Sequence, residues 1–493
     1  MRTPLSTLAA LTLGAAAFAF SGEEATPVQV DPPALSSALD SISTENISAD
    51  LHFFASDEMK GRDTPSPEQR IAARFLAARL GRLGWTPGAQ EGSWFWDYEL
   101  PMVSVDAVAS HMTATVGGRE LHMRLGEHYT FSGRRPTVHD VTAQGVVYAG
   151  SLSDEEVETL DLDGHWMLVR ADEGVDRSKI MRVARKGSAA GILVAPGTGI
   201  DAAAMTARVE EYTASMTKSR LSRGSVSESR SIPYVYLTED AAQLLLQLGD
   251  LNEPKAGDVV DAELREARVV DEASKAELEN VVGLWPGSDP VLKNEVIIIS
   301  AHYDHVGTSD DGEVYNGADD NGSGSMCVLN VAEALTHYGP MRRTVMIMWV
   351  SGEEKGLLGS AAWTKDPYLL EGMKPILNIN IDMVGRNAPG KLMITPTSEH
   401  EAYNGLTRLA EQNRAFEGFD KLESADAYWS RSDHANFSRN LEIPVAFLFS
   451  DVHEDYHKVT DTPDKIDYDK VRRVARLVVR MLDGLQADVL ELD

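Results

Sequence analysis

Four continuous apolar runs, Val296 to Ser300, Thr344 to Val350, Ile376 to Ile381 and Val445 to Phe449, punctuate the second half of the chain. Runs without polar alternation predict strands covered on both faces. Helical segments separate them, so from about Asn280 onward the pattern predicts an α/β layer fold. Near the N-terminus, Ser66-Pro67-Glu68-Gln69 reads as an N-cap, a proline at the first helical position and a capping-box glutamine. Ile71, Phe75, Leu76, Leu80 and Leu83 then recur at helical spacing, and Gly84 is the stop. From about Met102 the texture changes to short β-type segments such as Val146-Val147-Tyr148, Met167-Leu168-Val169 and Ile192-Leu193-Val194. A short helix is expected over Lys179 to Lys186. Ala207 to Ser231 is polar and rich in Ser and Arg, which predicts an exposed loop. Ile232 to Leu237 is a strand, and Thr238 caps the helix after it.

The first residues carry a different pattern. Arg2 precedes an apolar run from Leu5 to Phe20, with Ala17-Phe18-Ala19 as a small-residue cleavage site. This predicts a secretory signal peptide over residues 1–22 and a secreted or periplasmic mature protein. No other run reaches membrane-spanning length, so stable membrane insertion is not expected. The formal charge of −30 opposes sequence-independent binding of nucleic acid. Cys327 is the one cysteine of 493 residues, which leaves no internal disulfide and no thiolate zinc site. Its apolar helical setting reads as core.

The candidate chemistry sits at the ends of the buried runs. His302-Tyr303-Asp304-His305 follows the first, Glu353-Glu354 the second and Asp382 the third, while His457 lies beyond the fourth. Asp319-Asp320-Asn321-Gly322-Ser323-Gly324 precedes a helix. Open α/β sheets bind ligands outside the carboxyl ends of their strands, so five segments deliver donors to one edge. Two imidazoles with several carboxylates suit zinc. The surplus of carboxylates points to two ions sharing one of them. Of Glu353 and Glu354, one then binds metal and the other takes a proton from water.

These stretches resemble the di-zinc exopeptidases of the aminopeptidase S and aminopeptidase Y type. The likeness rests on Ala301-His302-Tyr303-Asp304-His305-Val306-Gly307, Gly317-Ala318-Asp319-Asp320-Asn321-Gly322-Ser323-Gly324 and Gly352-Glu353-Glu354-Lys355-Gly356-Leu357-Leu358-Gly359-Ser360. Asn380-Ile381-Asp382, Arg431-Ser432-Asp433-His434-Ala435-Asn436-Phe437 and Tyr456-His457 followed by Asp461-Thr462 complete it. The resemblance implies a three-layer zinc-exopeptidase core with a mixed, largely parallel sheet. It implies two Zn2+ per chain: His302 and Asp382 on one, Glu354 and His457 on the other, and Asp319 bridging, with a cis peptide between Asp319 and Asp320. Glu353 would be the general base, Asp304 the carboxylate orienting His302, and Arg431 and Tyr456 the groups that hold the substrate carbonyl as charge develops. His305, His434 and His453 match no metal position and are expected to be structural or supporting.

The segment from Ala143 to Leu248 is similar to a protease-associated domain, on Arg182 to Gly191 and Ile232 to Leu237. The expected organisation is residues 23–105 and 271–493 forming the peptidase, with 106–270 a small β-rich insert and its linkers. The expected activity is an aminopeptidase acting on peptides. Carboxypeptidases and dipeptidases of the same fold, one-zinc glutaminyl cyclases and a non-catalytic receptor are the alternatives.

Overall fold

In this computed structural model the structure describes residues 31–492 apart from 133–135, 154–156, 158–159, 223, 225, 227 and 230. The proposed signal peptide lies outside the described residues. Two β-sheets organise the rest. The larger has ten strands. Its centre is four parallel neighbours in the spatial order Val445–Phe449, Lys374–Ile381, Glu295–His302 and Thr344–Val350. Antiparallel strands extend it through Val270–Trp285 and Phe95–Val105 on one side and Met393–Thr395 on the other. The sheet is therefore mixed, with a parallel heart.

The apolar runs explain why that heart is buried. Successive side chains leave a strand on opposite faces. Ile297, Ile299 and Ala301 pack on one face with Val328, Val331, Val474 and Val478, from helices Gly324–Tyr338 and Tyr468–Gly484. Val296 and Ile298 pack on the other with Trp363 and Phe437, from helices Leu358–Lys365 and His434–Leu441. Helices cover both faces, which gives three layers. Cys327 is buried in the first of these cores.

The helix Pro67–Arg82 starts where expected, with Ser66 accepting from the Gln69 N–H. Gln69 does not close a capping box; its amide donates instead to Thr64 Oγ1 at 2.6 Å. The buried stripe also differs from the expected one. Ala72, Leu76 and Leu80 are buried while Ile71 is 49% exposed. Small alanines let this helix lie close to the sheet, a signal that a search for large apolar residues passes over.

A second, eight-stranded sheet is formed between His111 and Arg268. Helices Arg177–Lys186, Ala202–Thr217 and Glu239–Leu248 accompany it. The loop expected over Ala207 to Ser231 is corrected here. Its first half belongs to the helix Ala202–Thr217, capped by Asp201, with Met205, Val209 and Met216 buried. The apolar positions are few and widely spaced, so polar composition masked a one-sided helix. The short strand Arg220–Leu221 then crosses to pair with Met102 and Val103 of the larger sheet. No helix among the described residues is long and apolar enough to cross a membrane.

Candidate metal centre

Each parallel strand ends by presenting a donor at the same edge. His302 closes the Glu295 strand and is 1% exposed. Asp382 follows the Lys374 strand and receives a hydrogen bond from Ser432 Oγ at 2.8 Å, which is itself held by Asn380 Nδ2 at 2.9 Å. Glu353 and Glu354 follow the Thr344 strand through Gly352, whose φ of +69° turns the chain sharply. Thr64 Oγ1 accepts from the Gly352 N–H at 3.2 Å, tying that corner to the N-terminal segment. His457 arrives on the loop beyond Phe449.

The turn Ala318–Ser323 brings in the remaining carboxylate, and here the sequence-based expectation is corrected. Asp319 points away from the cluster. Its Oδ1 accepts from the Gly385 N–H at 2.7 Å, and its Oδ2 lies 3.2 Å from His453 Nε2. Asp320 is the shared carboxylate: it lies 3.4 Å from His302 Nε2 and 3.0 Å from His457 Nε2. The non-proline cis peptide follows the same one-residue shift, falling between Asp320 and Asn321. Neighbouring side chains in extended backbone face opposite ways, so one of two adjacent aspartates can face the cluster; the pattern Asp-Asp does not say which. Asn321 pins the turn by donating to Ile381 O at 3.0 Å and accepting from Gly324 N at 2.9 Å. Asp461 pins it from below, accepting from the N–H groups of Asp319 and Asp320 at 3.0 and 3.1 Å.

Two donor groups result. His302, Asp320 and Asp382 form one; His305, Asp320, Glu354 and His457 form the other, and within each group the donor atoms lie within 4.8 Å of one another. His305 is the residue that sequence reasoning set aside. The signal available was its position three residues after His302 on the same strand-end loop.

The surroundings fit divalent cations. His457 Nε2 is 3.1 Å from Glu354 Oε2, and His305 Nδ1 is 2.9 Å from Glu354 Oε1. Neither nitrogen makes a hydrogen bond among the described residues, and Glu354 Oε1 is likewise unpartnered. Close approach without good hydrogen-bond direction fits donors that share one ion. Charge tells the same story. Asp304, Asp320, Glu354, Asp382 and Asp433 crowd together. The nearby Arg62 guanidinium is committed to backbone carbonyls, those of Phe54 and Asn316 at 2.8 Å, Gly317 at 2.9 Å and Tyr303 at 3.0 Å. Burial lowers Arg62 to about 10, with the surrounding carboxylates resisting. Buried carboxylates in such surplus are neutralised by protons or by cations, and this donor set suits a metal ion.

Titration directions follow. Burial alone would push His302 down, but Asp382, Glu353 and Asp320 outweigh it and hold the imidazole well above its ordinary value. Burial is overcome in the same way at His457, which Asp320 and Glu354 hold at about 10. Burial raises Glu353 well above the carboxylate range; His302 opposes this, and repulsion from Glu354, Asp433 and Asp382 adds to it. Burial lifts Asp304 to about 6 against the attraction of His302. Asp304 Oδ1 accepts from the Glu353 N–H at 3.2 Å. It lies 3.8 Å from His302 Nδ1, farther than its own backbone oxygen at 3.3 Å, so the carbonyl rather than the carboxylate makes the closer contact with that ring.

A cavity opens beside the donors, and Asp320, Glu353 and Asp382 line it. Met383, Tyr428, Phe447, Phe449 and Val452 give it an apolar wall, and Arg431 and Tyr456 line it as well. Tyr456 stacks on His457 with ring centres 3.9 Å apart. His434 stacks on Phe447 and belongs to neither donor group; burial pushes it down to about 3.

Residues 280–482 match the family described as Peptidase family M28. A probable leucine aminopeptidase of Arthroderma otae is 31% identical over 201 residues, covering 38% of this chain and 54% of the relative. The leupeptin-inactivating enzyme 1 of Streptomyces exfoliatus is 33% identical over 192 residues, 38% of each chain. The chain thus spans about half the length, or less, of these curated relatives. Among solved structures, an aminopeptidase from Aneurinibacillus sp. strain AM-1 matches with a TM-score of 0.53 at 20% identity, over 93% of this chain and 97% of that one. This last likeness speaks to the fold.

Proposed function

We propose that this chain, whose residues 280–482 match Peptidase family M28, is a zinc-dependent aminopeptidase with two ions per chain. The observation that carries the reading is the pair of donor groups sharing Asp320 beside the raised Glu353 carboxyl, on a cavity that apolar side chains also line. His302 and Asp382 would hold one ion, Glu354 and His457 the other, and Asp320 both. The ions, when bound, would supply Lewis acidity that polarises a peptide carbonyl and acidifies water.

The chain's own groups do the rest. Glu353 takes the proton from the attacking water and returns it to the leaving amine. A carboxyl held high by burial and like charge is a ready proton acceptor once cations are nearby. Arg431 and Tyr456 face the same cavity and donate to the carbonyl oxygen as charge develops. The acidic lining attracts the substrate's free ammonium. The apolar wall takes the first side chain, in keeping with relatives named leucine aminopeptidases. Export by the N-terminal apolar segment, and a role in shaping access for the second sheet as a protease-associated insert, belong to the same proposal.

The test uses free, N-acetylated and C-amidated dipeptides with and without chelator. Cleavage of free and C-amidated substrates, lost on chelation and regained with zinc, supports the reading. Cleavage that needs a free carboxylate instead of a free amine replaces it with a carboxypeptidase.

A further inference from the structure

The unused residue of the site is His305. Its side chain is fully buried, at 0% exposure, on the loop that leaves the His302 strand. Nδ1 lies 2.9 Å from Glu354 Oε1 and 3.8 Å from Asp320 Oδ2. The ring faces His457 edge-on, with centres 5.6 Å apart. Neither ring nitrogen has a hydrogen-bond partner among the described residues.

The backbone is shaped to admit this ring. Gly317 has φ +60°, and a Cβ placed there would lie 2.4 Å from His305 Cγ. Only a glycine leaves the space. On the far side the His305 N–H donates to Arg62 O at 3.4 Å, which holds the loop against the buried arginine.

A purely structural histidine accounts poorly for these facts. Two buried ring nitrogens without partners carry a desolvation penalty that native structures rarely leave standing. A neutral ring donating to Glu354 would meet the 2.9 Å separation but not the direction. An Nδ1 lone pair aimed at the point where His457, Glu354 and Asp320 converge satisfies that nitrogen.

Resting on the zinc reading above, we propose that His305 is a direct protein donor to the second ion. The centre is then asymmetric, with three protein donors in the His302 half and four in the His305 half. Four-coordinate all-protein zinc sites are closed and structural in character, whereas three donors leave a position open. The His302 half is therefore the one with room for water or substrate, and the His305 half holds its ion more tightly and anchors Asp320.

The test reads metal binding. Zinc affinities of the wild type, His305→Ala and His305→Gln are measured by chelator competition, and the absorption bands of the cobalt-loaded proteins are recorded. The wild type should release its ions in two separable steps. Both variants should lose affinity in the tighter step by more than about 100-fold, beyond the 10–100-fold typical of a supporting group. The absorption band of one cobalt ion should change, and added imidazole should restore it in His305→Ala. Circular dichroism accompanies each sample, and His305→Gln, which keeps a buried polar group, covers a folding defect in His305→Ala. Unchanged affinities and bands, a supporting-group-sized loss without a band change, or equal weakening of both ions would overturn the inference. A wild type that binds no zinc would instead overturn the functional reading on which it rests.

Discussion

Two buried polar clusters, one in each sheet, meet the same desolvation with different sets of charges. In the second sheet, Glu266 is 0% exposed with both carboxylate oxygens unpartnered, and Arg268 is 5% exposed. They lie 3.5 Å apart, and the guanidinium carbon sits 3.5 Å over the Phe131 ring. Burial pushes Glu266 up and Arg268 down, and their attraction only partly offsets it. This cluster carries its own counter-ion. At the candidate metal centre the carboxylates outnumber the imidazoles, and the Arg62 guanidinium lends its charge while its hydrogen bonds go to backbone carbonyls. Unpartnered atoms alone thus do not identify a metal site. Donors from separate segments that converge on shared points make the candidate.

The difference is open to experiment. Chelation has the largest expected effect: hydrolysis should vanish and return with zinc, while urea unfolding of the second sheet stays where it was. Hydrolysis by metal-free protein would break the contrast. Next comes Glu353→Gln, which keeps shape but removes the proton acceptor. Turnover should fall about 10²–10⁴-fold with zinc content unchanged. Glu354→Gln should instead weaken one zinc, since a neutral amide is a poor ligand. Near-normal turnover in the first variant, or the opposite metal pattern, contradicts the assignment of the pair.

In the second sheet, Arg268→Met strands the Glu266 carboxylate. A loss of about 3–5 kcal/mol is expected by urea titration, with zinc unchanged. Pairing it with Glu266→Leu should recover most of that loss. If the double variant is no better than the single one, the two groups do not compensate each other.

The smallest effect concerns His139 in the same cluster, which is 4% exposed. Burial, reinforced by Arg268, lowers its imidazole to about 4. The unfolded chain takes up that proton near pH 6.5, before the folded one does. The contribution is therefore fully present above about pH 6.5 and is lost as pH falls towards 4. His139→Gln should flatten the fall in stability across that window relative to wild type. An identical slope in both proteins would remove His139 from the account.

What the sequence made legible follows from period and chemistry. The four apolar runs became the parallel strands because their burial on both faces leaves no alternation to misread. His302, Glu353, Glu354, Asp382 and His457 were legible as candidates because strand ends are where side chains leave the sheet. Asp319 in place of Asp320 was a one-residue error, since adjacent aspartates in a turn differ only in backbone direction. His305 was passed over because the loop's path, which swings the ring back over Gly317, is set by Arg62 more than 240 positions away. Arg62 itself was invisible: a charged residue after a glycine reads as surface, and three of its four carbonyl partners, those of Tyr303, Asn316 and Gly317, lie more than 240 positions away. The helix through Ala207 was hidden by polar composition on its exposed side.

The measurement that bears most directly on the centre is zinc stoichiometry in Asp319→Asn and Asp320→Asn, side by side. Asp320 faces both donor groups, whereas Asp319 is spent on Gly385 and His453. Asp320→Asn should lose or severely weaken both ions, and Asp319→Asn should keep two. Retention of both ions without the Asp320 carboxylate, with their loss in Asp319→Asn, would contradict the account.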